Sequence, residues 1–151
     1  MRTRMAVIVA AVAFGVVGSA AVFAQGQMQI VPVGKINWVP CDPNAPQPDM
    51  CQLAYFRGDP EKEPNYKMIK AKAGFVFLPH WYVSDEHLVM TKGTIKIAAE
   101  GGQEQDTTLK VGDYLFIPAR RVHWGSCPED CIFYLHVDGP DSYIDAKAER
   151  P

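Results

Sequence analysis

From residue 35 onward the chain alternates apolar and polar side chains in short runs cut by turn residues, and no window keeps a helical apolar repeat over three turns. A period of two belongs to strands with one buried face. The pattern predicts strands at Lys35 to Val39, Gln52 to Arg57, Tyr66 to Ala71, Phe75 to Leu78, His87 to Thr91, Thr94 to Ala99, Thr107 to Lys110, Tyr114 to Ile117 and Ile132 to Val137. Asp59-Pro60, Lys92-Gly93, Gly101-Gly102, Gly112-Asp113 and Gly125-Ser126 supply turns. Many short strands with close-set turns build an all-β sandwich or barrel. Asp42 to Asp49 carries Pro43, Pro46 and Pro48, lacks the amide hydrogens a central strand needs, and is expected as a surface loop. The polar segment from Asp138 to Pro151 either wraps the barrel or frays.

The N-terminal residues depart from that pattern. Arg2 and Arg4 precede an uncharged stretch from Met5 to Ala24, made mostly of Ala, Val, Ile, Phe and Gly. These are the basic and apolar regions of a signal peptide, with cleavage expected after Ala24. The competing reading is an uncleaved anchor, for which the apolar run is near the lower limit of length. Either way the working domain lies outside the cytoplasm, in the periplasm or secreted from a bacterium. Residues 25–151 then form one domain, since 127 of the 151 residues suffice for one core and not two.

Charge narrows the partners. The 15 basic and 17 acidic residues become 13 and 17 once the leader's two arginines are removed, a net charge of −4. The basic residues are scattered, with Arg120-Arg121 the one adjacent pair. Nucleic acid and anionic lipid surfaces are therefore excluded as expected partners, and the mature domain is not expected to be embedded in a membrane. Four cysteines in a small exported domain are expected to pair, because that compartment is oxidising. Proximity favours Cys41 with Cys51 and Cys127 with Cys131. A four-thiol metal site would call for two-residue gaps that the spacing lacks.

The chemistry-bearing residues lie far apart in sequence. His80 follows a predicted strand, Glu86 and His87 open the next, and His123 lies beyond Pro118. A closed barrel brings such segments together in its interior. Two imidazoles and a carboxylate suit one divalent transition metal ion, whether iron, manganese, nickel, copper or zinc, and are the ligand set of many oxygen-activating iron sites.

These residues fall in a pattern that resembles the cupin superfamily, whose first motif is G(X)5HXH(X)3,4E(X)6G and whose second is G(X)5PXG(X)2H(X)3N. Gly74, His80, Tyr82, Glu86 and Gly93 stand at the first motif's positions, residues 74–93, with Tyr82 in place of the second histidine. Gly112, Pro118, Arg120, His123 and Cys127 stand at those of the second, residues 112–127, with Arg120 for the middle glycine and Cys127 for the asparagine. The segment Pro79 to His87 also resembles a group of small cupins with a PHWHPTDEH-type sequence. The resemblance covers roughly residues 34 to 140. It implies a single-domain jelly-roll β-barrel holding metal through His80, Glu86 and His123, a small-molecule substrate or ligand, and a homodimer as an assembly cupins often form.

Spacing selects Glu86 over His87, because six residues separate Glu86 from Gly93 and only five follow His87. Residues 80 and 82 of an extended segment share a face, so the Tyr82 ring is expected in the metal cavity. Tyr82 then ligates the ion, donates or accepts a proton beside it, or packs as an aromatic. By alternation Trp81 and Trp124 point away from the metal. The Phe133, Leu135 and Val137 face of the last strand is expected inward and His136 outward as a structural histidine, the alternative being that His136 turns toward the metal cavity and supports a ligand there. Arg120 and Arg121 form either a cationic rim or an exposed turn. The resulting function is a mononuclear metalloenzyme acting on a small organic molecule, dioxygenase-like or a lyase or isomerase, with Tyr82 as its catalytic side chain. The alternative is a non-catalytic metal or small-ligand binding and sensing module.

Overall fold

The computed structural model describes residues 28–101 and 107–147. The segment expected to be a signal peptide, with its expected cleavage site, lies outside the described residues. The chain divides into two compact units, residues 1–30 and Val31–Pro151, and every described strand belongs to the second.

Among the described residues eleven strands, all paired antiparallel, form two sheets. The first carries β1 (Val39–Pro40), β2 (Cys51–Arg57), β3 (Asn65–Ala71), β10 (Cys131–Val137), β5 (Glu86–Lys92) and β8 (Tyr114–Ile117) in that order. The second carries β11 (Ile144–Asp145), β4 (Val76–Trp81), β9 (His123–Ser126), β6 (Ile95–Ala99) and β7 (Thr107–Leu109). This is the double-sheet all-β architecture that the alternating pattern predicts.

The core fills the space between the sheets. Ile69, Leu88, Met90, Phe133, Leu135 and Val137 come from the first sheet, Ile95 and Leu109 from the second, and Phe77 packs edge-on to Phe133 with ring centres 5.8 Å apart. Each fully buried side chain of this size stabilises the fold by roughly 1.5–3 kcal/mol. The strict alternation in β3 and β10, where every second residue is buried, fixes which side chains face inward. The link from β5 in the first sheet to β6 in the second turns on Gly93 at φ +66°, where an added Cβ would lie 2.2 Å from the Asp130 carbonyl oxygen. No other residue type fits there. Cys41 is joined to Cys51 and Cys127 to Cys131, the pairings that proximity favours.

Two expectations are corrected. Lys35 to Val39 is not a strand: Val33–Lys35 forms a single 3-10 turn, and β1 is the two-residue segment that meets the edge of β2. Gly125-Ser126 is not a turn but part of β9, between β4 and β6. Gly125 is needed there for close approach, since a Cβ would stand 2.8 Å from the Lys96 carbonyl oxygen. Of the two outcomes open to the C-terminal segment, its described part takes the first: it wraps the barrel, ending in β11 against β4.

Candidate metal centre

His80 and His123 are direct cross-strand partners on β4 and β9, so their side chains leave the second sheet on the same face. Their ring centres are 4.2 Å apart. Glu86 opens β5 in the first sheet, paired with Val137 on one side and Ile117 on the other, and therefore faces inward with them. Its Oε1 lies 3.7 Å from His123 Nε2. All three side chains are buried. His123 thus neighbours both His80, beside it on the second sheet, and Glu86, across the gap between the sheets.

Each imidazole is oriented by the backbone behind it. His80 Nδ1 lies 2.7 Å from the Leu78 carbonyl oxygen and His123 Nδ1 lies 2.9 Å from that of Arg121. Nδ1 must donate in both, which leaves each Nε2 with its lone pair available. Burial holds both rings neutral: it drives His80 down to about 3 and lowers His123 as well. Burial also pushes the Glu86 carboxyl up to about 8, against the pull of the Lys67 ammonium. The Glu86–His123 contact is therefore between neutral groups and is not an ion pair at neutral pH.

The donor set fits a divalent ion chemically. Donors about 2.1 Å from an ion are about 3.0–3.4 Å from one another, a few tenths of an ångström less than the Nε2–Oε1 separation. As they stand, no three His, Cys, Asp or Glu side chains among the described residues are close enough to enclose an ion.

Tyr82 follows β4 and is buried, with its ring edge-on to His80 at 5.8 Å between centres. Desolvation, with Asp141 and Glu86 nearby, raises its phenol well above 10 and keeps it protonated. Beside it is a polar group that sequence reasoning missed. Lys67 on β3 is 1% exposed, its Nζ 2.5 Å from Asp141 Oδ2 and 5.2 Å from the Tyr82 ring centre. The Tyr55 hydroxyl donates to the same carboxylate oxygen. Tyr143 stacks on His80 at 4.3 Å between ring centres. The signal for Lys67 was present in its phase, which matches Ile69 and Ala71 on the buried face of β3. Nothing in the sequence pattern pointed to Asp141 or Tyr143, which come from the C-terminal segment.

His87 faces outward, bonded through Nδ1 to the Tyr114 hydroxyl at 2.7 Å and through Nε2 to Asp138 at 3.3 Å. His136 is its cross-strand neighbour on the same outer face and also bonds Asp138. Neither reaches the three candidate ligands. Trp81 carries the Arg120 guanidinium 5.6 Å from its ring centre. Arg121 lines a cavity of about 510 Å³ that runs between β6, β7 and β8 to His123. A smaller hollow of about 290 Å³, lined in part by Asp49, Lys72 and Asp130, touches none of the candidate ligands.

The chain belongs to the family described as a domain of unknown function, DUF4437, whose model matches residues 24–143. No curated protein matches it. Among solved structures it resembles an RmlC-like cupin protein from Ralstonia eutropha JMP134, at 20% identity, TM-score 0.60, over 75% of this chain and 69% of the other. It also resembles an acetylacetone dioxygenase from Acinetobacter johnsonii, at 22% identity, TM-score 0.61, over 84% and 83%. A DMSP lyase from Ruegeria pomeroyi is similar at 14% identity, TM-score 0.63, over 77% and 64%. These likenesses establish the fold as the cupin jelly roll.

Proposed function

We propose that this cupin is a mononuclear metalloenzyme acting on a small organic molecule, with His80, Glu86 and His123 holding one divalent transition metal. The observation that carries this reading is the convergence of two backbone-oriented imidazoles, each with Nε2 free of protons, on a desolvated carboxyl from the opposite sheet. A cation there would restore Glu86 to its ionised form, reversing the effect of burial. When bound, the ion would supply Lewis acidity or an open position for oxygen.

The protein's own groups do the rest. Tyr82, kept protonated, donates a proton or a hydrogen bond toward the cavity. Lys67, held by Asp141, supports negative charge near Glu86 and Tyr82. The structural neighbours named a dioxygenase and a lyase support both chemistries. Two disulfides are expected of an oxidising compartment, which supports export.

The test is metal analysis of protein recovered from the exported fraction, with His80→Ala and His87→Ala side by side. Near-stoichiometric metal is expected in the wild type and in His87→Ala, with a loss of tenfold or more in His80→Ala. Metal below about 0.1 equivalent in wild type, unchanged in His80→Ala, defeats the reading. Oxygen uptake against phenolic and small acid substrates then separates turnover from binding, and Tyr82→Phe tests whether the hydroxyl takes part.

A further inference from the structure

The cavity that ends at His123 has an uneven wall. Ile97, Leu109, Leu115 and Ile117 make it apolar, Arg121 supplies the one permanent cation among its described lining residues, and no carboxylate from the described residues lines it. Arg121 makes no ion pair with any described residue. A guanidinium to which no described residue supplies a counter-charge, beside an apolar cleft, suits an anion of matching shape. Its planar donor fork fits a carboxylate through two parallel hydrogen bonds, whereas a neutral amide satisfies it poorly.

The placement couples this residue to the candidate metal centre. The Arg121 carbonyl accepts from His123 Nδ1, so the backbone that orients the imidazole belongs to a residue that also lines the cavity. Ile117, on the cavity wall, is the cross-strand partner of Glu86. A molecule seated in the cleft therefore lies against the strands that position two of the three candidate ligands. About 510 Å³ holds a small organic molecule and not a polymer.

We infer that this cleft binds a small organic monocarboxylate, with its carboxylate on Arg121 and its apolar body along Ile97, Leu109 and Leu115. This names the substrate class for the proposed metalloenzyme and rests on that reading for any turnover, while binding itself needs only the cleft and Arg121.

Calorimetric titration of the full protein with hexanoate and with hexanamide, as isolated and after metal removal, tests it. Hexanoate is expected to bind at least about tenfold more tightly than hexanamide. Arg121→Gln, which keeps the backbone carbonyl that orients His123, should weaken hexanoate at least about tenfold and leave hexanamide unchanged. Arg121→Lys should fall between, since it keeps the charge and loses the fork. Absence of hexanoate binding, equal binding of acid and amide, or a hexanoate affinity indifferent to both variants overturns the inference. Metal content measured on the same samples separates the two claims. Arg121-dependent hexanoate binding in a protein that takes no metal would uphold the cleft and defeat the metal centre. Metal binding with no hexanoate binding would do the reverse.

Discussion

Arg120 is, among the described residues, the one non-glycine with positive φ, at 63°. It stands where the second cupin motif carries glycine. A left-handed L-residue costs about 1–2 kcal/mol, and here the Arg120–Trp81 contact offsets part of that. Arg120→Gly should therefore be close to neutral, because relief of strain balances the lost contact and the added freedom of the unfolded chain. Arg120→Ala should cost about 1 kcal/mol, because it loses the contact and keeps the strain. Urea unfolding of the two variants checks this, and an alanine variant as stable as the glycine variant would contradict it. Glu86 sets a pH dependence at the same scale. In metal-stripped protein its folded pKa is about 8 against an ordinary 4.5, and His80 sits near 3 against 6.5. Above pH 6.5 the folded carboxyl keeps a proton that the unfolded chain releases, so stability falls as pH rises, by roughly 1–2 kcal/mol up to pH 8. Below 6.5 the two buried histidines gain protons only on unfolding, which lowers stability as pH drops and opposes the effect of Glu86, which persists down to about 4.5. The expected profile falls on the alkaline side of about pH 6.5, and Glu86→Gln or bound metal should flatten that fall.

The loop 42–49 shows how elements depend on their ends. Its prolines keep it out of the sheet, and the Cys41–Cys51 bond at the junction of β1 and β2 holds its ends 5.4 Å apart between Cα atoms. Opening that bond with Cys41→Ser and Cys51→Ser frees a ten-residue separation in the unfolded chain and should lower the unfolding free energy by about 2–3 kcal/mol. Chemical denaturation of the double variant measures it, and an unchanged midpoint would show that the loop contributes no constraint. At this scale most of the fold was legible in the chain. Strands with clean alternation, such as β3 and β10, lie close to their expected bounds, because one buried face imposes a period of two. The segments that failed depend on neighbours instead. β9 contains the dipeptide Gly125-Ser126, which looks like a turn until β4 and β6 flank it, and Val39 finds a partner over only two residues. The three candidate ligands were visible because each keeps its place in a spaced motif. Lys67 was hidden by being one polar residue among several in β3.

At the scale of the whole molecule the C-terminal segment joins the two sheets around the candidate site. β11 pairs with β4 beside His80, Asn65 Nδ2 on β3 donates to the Gly139 carbonyl oxygen at 3.1 Å, and Asp141 reaches Lys67 across 74 residues of sequence. No periodicity in the chain encodes a contact of that range, which explains why the polar tail read equally as wrapping or fraying. A buried ammonium without its carboxylate is costly: desolvation already lowers the Lys67 pKa against the pull of Asp141. Asp141→Ala should therefore destabilise the protein by about 3–5 kcal/mol, the range for breaking a buried pair from one side. Combining Asp141→Ala with Lys67→Met removes the stranded charge and should restore part of that loss. Urea unfolding of the single and double variants decides between a coupled pair and independent side chains. If the double variant lost the full sum of its parts, Lys67 and Asp141 would be acting separately and the tail would be held by its backbone contacts alone.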